Sequence, residues 1–191
     1  MKIFIVGNAA VGKQEVLNEL DKLGCRIGKR FSTEKDLPAE YHLDEWYQYL
    51  DNNEAVKMFE AKSYVFLYEN TLFGKSFFEG LSMYTYNNYD AFALSTAQFL
   101  EIPKFGKDDV IIWMDGNTQN RRTRFLEGRR KYSFSKVDEY ERKLSKNFIE
   151  KLYQNQNVLY FNNEEPSRVA AIAWALIQHK DLLNVFKTHF Y

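Results

Sequence analysis

A single cysteine, Cys25, stands in 191 residues, and a lone thiol cannot build an intrachain disulfide framework. That usage points to a reducing, cytoplasmic setting, with Cys25 packing as a small apolar side chain at a strand start. Long hydrophobic runs are also missing. The longest, residues 3–6 and 110–114, fall far short of the ~20 residues that cross a bilayer, so no membrane segment is expected. Strand-like residues begin at Ile3 and leave no place for a secretory leader pattern. Net charge is absent too, with 26 Lys and Arg against 26 Asp and Glu. A duplex-binding chain carries clustered excess positive charge, so this balance argues against a nucleic-acid polymer as partner. The three histidines, His42, His179 and His189, lack metal-ligand spacing, and no Ser–His or Cys–His pairing declares itself. No internal repeat or low-complexity linker divides the chain. Its length suits one compact domain with a real core and room for a subdomain or lid.

Aromatic side chains, by contrast, are plentiful, with 16 Phe and 13 Tyr. Core, pocket wall and a stacking platform for bases are the uses open to them. The apolar pattern predicts a strand over 2–6, a helix over 13–23 with Val16, Leu17, Leu20 and Leu23 on one face, and a stop at Gly24. A short strand is expected near 25–27, a loop over 28–42, and a helix over 43–52. Residues 56–59, 64–68 and 72–73 read as strands, with a turn at Glu69 and Asn70, and 78–88 as a helix. Residues 91–94 and 110–114 are apolar throughout, as buried parallel strands are. A polar, arginine-bearing segment covers 117–130. A helix over 135–153 carries Val137, Tyr140, Leu144, Phe148 and Leu152 at helical spacing. A last strand spans 157–161, and a helix over 166–179 opens on Pro166. Strands alternating with helices imply an α/β fold around a parallel sheet.

The most specific motif is at 7–13. Gly7, Asn8, Ala9, Ala10, Val11, Gly12 and Lys13 follow the first apolar strand and open the first helix. This is a phosphate-binding layout. Glycines let the backbone wrap phosphate oxygens, successive N–H groups and the helix N-terminus face negative charge, and Lys13 adds a mobile cation. The next position, usually a Mg²⁺-binding Ser or Thr, is Gln14. Asp115, ending the strand at 110–114, is the candidate metal-side acid, through water; a polar strand end is the plain alternative.

Positive charge is concentrated elsewhere. Arg121, Arg122, Arg124, Arg129, Arg130 and Lys131 fall within eleven residues. Phosphoryl transfer asks a protein for positioning and for positive charge around the moving group, which a closing arginine-bearing segment supplies. Arg142 follows one helix later.

With these residues the chain resembles guanylate kinase. The stretch Arg124-Phe-Leu-Glu-Gly-Arg129 is similar to that family's Arg-Leu-Glu-Gly-Arg-Gly, and Arg142 follows at about the family's spacing. Asn157-Val-Leu-Tyr-Phe-Asn162-Asn163 resembles its Val-Ile-Val-Asn strand end. Leu43-Asp-Glu-Trp, Asn52-Asn-Glu and Leu72-Phe73-Gly74-Lys75-Ser76 resemble its Val-Asp-Glu-Phe, Asn-Asn-Glu and Tyr-Tyr-Gly-Thr-Ser, in the same order along the chain. The resemblance implies a P-loop NTPase fold of three α/β/α layers, with a core at 1–30 and 85–191. It adds a small β-containing acceptor subdomain at about 31–84 and a helical lid at about 117–135. It further implies a kinase that uses ATP and Mg²⁺ to phosphorylate a nucleoside or deoxynucleoside monophosphate. Lys13 would hold the β- and γ-phosphates, with Arg124, Arg129 and Arg142 around the transferring phosphoryl and Asn162 near the adenine. The acceptor would meet Ser32, Lys35, Tyr41, Glu69 (or Glu60), Phe73, Lys75 and Thr96.

The departures bear on the acceptor and the metal. Gln14 stands for the metal-binding hydroxyl, Thr96 for an acidic residue, and Phe73 for a phosphate-binding phenol. An altered pocket changes which base is satisfied, as would suit a phage-encoded kinase for an unusual deoxynucleotide. A non-catalytic nucleotide- or protein-binding module, and a kinase acting on a modified base in DNA, are the competing readings. The oligomeric state, monomer or homodimer, stays open.

Overall fold

The computed structural model describes residues 1–34, 47–72, 75–127 and 133–189. Strand β1 (Ile3–Gly7) runs down the middle of a parallel sheet ordered β6 (Ala91–Leu94), β1, β7 (Val110–Asp115), β8 (Val158–Asn162). Its side chains alternate between two cores. Ile3 and Ile5 face one, with Val16, Leu17 and Leu20 of α1 (Lys13–Lys22) and with Val169, Ala170, Ala173 and Leu176 of α7 (Pro166–Gln178). Phe4 and Val6 face the other, with Phe99 of α4 (Thr96–Glu101) and with Phe148 and Leu152 of α6 (Phe134–Tyr153). A sheet buried on both faces is why its strands read as continuous apolar runs. Among the described residues no helix is long and apolar enough to cross a membrane.

A second sheet is ordered β3 (Tyr47–Tyr49), β2 (Arg30–Ser32), β5 (Lys75–Ser82), β4 (Tyr64–Leu72). Strands β2 and β3 are parallel, and the other pairs are antiparallel. One face carries Phe66 and Leu81 into the aromatic core of the first sheet. The other is covered by α2 (Asn52–Glu60), whose Phe59 ring meets Phe31, Tyr64 and Phe78. Short α3 (Met83–Asn88) returns the chain to the first sheet. Helix α5 (Thr118–Glu127) leads toward α6, and α8 (Leu182–His189) ends the described chain.

Several expectations are corrected. Residues 56–59 belong to a helix, not a strand. The Asp51 carboxylate accepts from the Asn53 and Glu54 N–H groups at 2.8 and 2.9 Å, capping α2, and Ala55 and Phe59 fall one turn apart on its covered face. The expected helix at 43–52 lies outside the described residues over 43–46, while 47–49 form β3. Strand β4 passes straight through Glu69 and Asn70, so no turn falls there. Residues 78–82 are strand, and helix begins only after Ser82, whose hydroxyl accepts the Thr85 N–H. At 25–27 only Ile27 makes a bridge, to Ala91. Helix α4, set by the Ser95–Gln98 capping box, had no expectation, nor did α8.

Because Phe66 and Leu81 share one core with Phe4, Phe92 and Phe99, the two sheets should unfold together. Phe66→Ala should cost about 3–5 kcal/mol and leave a single transition, with hydrogen exchange rising alike in β1 and β5. Early loss of β4 and β5 alone would contradict a shared core.

Candidate nucleotide site at the carboxyl edge of the parallel sheet

All four strands of the parallel sheet end at one edge, where open α/β sheets place their ligands. The turn from β1 to α1 sits there because two backbone conditions are met. A Cβ on Gly7 would run into the Met114 carbonyl oxygen, so only glycine lets β1 and β7 close at this point. Ala10 and Gly12 hold φ of 62° and 96°, which curl the turn, and Gly12 starts α1 without a side-chain cap. Lys13 folds back over the turn, its Nζ donating to the Gly7 and Asn8 carbonyls at 2.8 and 2.7 Å. A curled backbone, a helix N-terminus and a lysine are thus gathered in one place, a combination chemically suited to an anion.

The other strand ends close around this turn. The Thr96 hydroxyl, buried at the start of α4, donates to Asn8 Oδ1 at 2.7 Å. Thr96, which the resemblance put on the acceptor side, is thus joined to the turn through Asn8. Asp115 ends β7, with Oδ1 accepting from the Gly116 N–H at 2.8 Å and Oδ2 from the Tyr160 hydroxyl at 3.3 Å. Asn162 is exposed at the end of β8 and accepts from Asn163. Gln14 is half-buried in the first turn of α1.

Arginines reach the turn from α5. The Arg124 guanidinium lies directly over Gly12, 3.1 Å from where a Cβ on that glycine would stand. Arg121 is 5% exposed and knits three elements. Its Nε donates to the Ala9 carbonyl at 3.1 Å, Nη1 to Asp138 Oδ1 at 2.9 Å, and Nη2 to Glu141 Oε2. Glu141 Oε1 in turn accepts the Ala9 N–H at 2.5 Å. Burial pushes the Glu141 carboxyl above its ordinary range and Asp138 adds to this, against the pull of the Ala9 N–H, Arg121 and Lys13. Arg142, exposed, pairs with Asp138 Oδ2 at 2.7 Å.

Arg121, Asp138 and Glu141 were not singled out from the sequence as site residues, although a signal exists. Phe134, Asp138, Glu141, Phe148 and Leu152 share one stripe of α6, so two acids stand in register with its buried face. The expected stripe through Tyr140 is displaced, since Tyr140 is 46% exposed.

A second polar cluster links the two sheets. Arg30 lies over the Tyr47 ring at 4.1 Å and donates to Gln98 Oε1 at 2.7 Å. Gln98 Nε2 donates to Glu79 Oε2 at 2.9 Å and to the Tyr47 hydroxyl at 3.1 Å. Glu79 is 2% exposed, and its Oε1 has no hydrogen-bond partner among the described residues. Burial drives the Glu79 carboxyl upward, opposed by the Arg30 charge and by hydrogen bonds from Gln98, Tyr47 and Asn70. Ser32 is buried directly opposite Glu79 in the sheet. Glu69 pairs with Phe78 where Tyr68 pairs with Glu79. It therefore points to the opposite face, is exposed, and is not brought to Ser32. Glu60, on α2, is exposed as well. Lys75 opens β5 opposite Leu72. Lys35, Tyr41, Phe73 and Arg129 lie outside the described residues.

No protein-family model matches the chain, and no curated protein matches it by sequence. Among solved structures, it is similar to a guanylate kinase from Anaplasma phagocytophilum, at 16% identity over 95% of this chain and 93% of that one, with a TM-score of 0.49. It is also similar to an uncharacterized protein from Eubacterium ventriosum, at 12% identity over 94% and 99%, with a TM-score of 0.42.

The buried carboxyl of Glu79 gives a signed expectation. Its folded-state pKa lies above the ordinary value of 4.5, so the stability it contributes is full below that pH and is lost as pH rises through the shifted value. Glu79→Gln should flatten the decline of the urea midpoint above about pH 4.5. An unchanged slope in that variant would mean that Glu79 titrates as an ordinary surface acid.

Proposed function

We propose that this chain is an ATP-dependent kinase of nucleoside or deoxynucleoside monophosphates, built on a guanylate-kinase-like P-loop fold. One observation carries the reading. The turn at 7–12 joins a parallel strand to a helix, Lys13 folds over it, and the Arg124 guanidinium lies on Gly12. Phosphoryl transfer needs this: little covalent chemistry from the protein, but fixed positive charge around a moving phosphoryl.

The γ-phosphoryl of ATP breaks from its bridging oxygen, whose electron pair stays on ADP, and bonds to a phosphate oxygen of the acceptor. Lys13 and the backbone N–H groups of the turn hold the donor phosphates. Arg124 neutralises the charge that develops between donor and acceptor, and Arg142 and Arg129 join it from the helix after it and the segment between. The second sheet, with Ser32 on its inward face, offers the acceptor side.

The residues present do not compose a metal cage. Among the described residues no three His, Cys, Asp or Glu side chains stand together, both Asp115 oxygens are engaged within the protein, and Gln14 offers a neutral amide. Any Mg²⁺ would then be carried by nucleotide phosphates and water. A non-catalytic nucleotide-binding module is the second reading. It is favoured by Gln14 and by the Thr96 hydroxyl, which is spent on Asn8.

A coupled assay of ADP release across a panel of monophosphates separates the two. Wild type should transfer to at least one acceptor, and Lys13→Ala should abolish transfer with the fold intact. Arg124→Ala, Arg129→Ala and Arg142→Ala should each lower kcat by about a hundredfold or more while changing ATP affinity far less. Tight ATP binding without transfer to any acceptor would establish the module instead.

A further inference from the structure

A carboxylate occupies the rim of a turn built to receive anions. Glu141 Oε1 takes the Ala9 N–H at 2.5 Å, its other oxygen takes Arg121 Nη2, and the Arg121 Nε holds the Ala9 carbonyl. Both backbone polar groups of Ala9 are therefore tied to this acid–arginine pair, which is nearly solvent-free at 7% and 5% exposure. The pair is not surface decoration. A buried carboxylate held by a backbone N–H and a guanidinium has the same partners that a bound phosphate takes, namely loop amides and arginine.

We propose that Glu141 is a built-in competitor for nucleotide phosphate, and that Arg121 is the cation which exchanges it for phosphate. In the nucleotide-free protein Glu141 satisfies the Ala9 N–H and Arg121. When a phosphate arrives, its oxygens replace both carboxylate contacts. Arg121 stays in place, anchored to the Ala9 carbonyl and to Asp138, and turns its Nη2 to the phosphate. Because Glu141 belongs to α6 and Arg142 follows it, the exchange also reports phosphate occupancy to the helix that carries a proposed catalytic arginine. This inference rests on the nucleotide-binding reading of the turn and adds a cost to it: each binding event must first break a charge-assisted contact.

The test uses the full chain, titrated calorimetrically with ATP, as wild type, Glu141→Ala and Glu141→Gln. Removing the competitor should tighten ATP binding on the order of tenfold in both variants, the strength of one charge-assisted contact. Should Glu141→Ala fail to fold, Glu141→Gln keeps the shape and an acceptor for Arg121 while removing the charge. The Ala9 amide gives an independent readout by hydrogen exchange: protected in nucleotide-free wild type, faster in Glu141→Ala, and protected again with ATP. ATP affinity that is unchanged or weaker in the folded variants, while wild type binds ATP, would overturn the competitor and leave the nucleotide site standing. So would an Ala9 amide indifferent to Glu141→Ala. If neither wild type nor variants bind ATP, the nucleotide reading falls and takes this inference with it.

Discussion

Strands β1 and β7 approach closely at Gly7, where any side chain would meet the Met114 carbonyl oxygen. That approach sets the rest of the site. It brings the end of β7, with Gly116 and the Asn117–Asn163 contact, against Val11 of the turn, and it fixes where α1 begins. The turn can then curl through positive φ at Ala10 and Gly12, and Lys13 can return to the carbonyls of Gly7 and Asn8. Helix α5, which follows β7 after two residues, is thereby delivered beside the same turn with Arg121 and Arg124 on it.

Burying Arg121, Asp138 and Glu141 together is an unusual way to hold α5 and α6 to a loop. Desolvating three charges opposes folding, and their mutual attraction offsets that cost only when the geometry is good and the remaining polar atoms are satisfied. Here the guanidinium donates from Nε, Nη1 and Nη2, and the spare Asp138 oxygen receives Arg142. An apolar triad of similar volume would hold the helices at least as firmly. What the charged arrangement adds is orientation, since each guanidinium nitrogen has one acceptor in one direction.

The core strands and the strand–turn–helix at 3–22 could be read from the sequence because their signals are local. An apolar run, two glycines and a lysine at fixed spacing dictate their own geometry. The second sheet was harder. Residues 56–59 form a short apolar stretch whose period fits strand or helix, and the deciding feature is the Asp51 cap at the far end of α2. Glu69 and Glu79 show the same limit in another form. Which of two glutamates faces inward depends on strand register, and a one-residue shift exchanges the faces. The irregularity between Tyr64 and Phe66 and the pairing of Leu72 with Lys75 set that register, and neither is visible in composition. Asp138 and Glu141 look like solvated charges on a polar helix until Arg121, 17 and 20 residues away, is brought beside them.

The aromatic joint between the sheets limits how the molecule can move. Phe66 and Leu81 are inserted among Phe4, Phe92 and Phe99, with Phe4, Phe92 and Phe105 ring to ring. A hinge that swung the second sheet outward would pull these side chains into water, whereas a roll about them keeps them covered. Any displacement that keeps this corner covered therefore costs less than one that exposes it. Helices α5 and α6 are joined beside the turn in two ways at once, by the buried Arg121–Asp138–Glu141 cluster and by the Phe125–Phe134 ring contact.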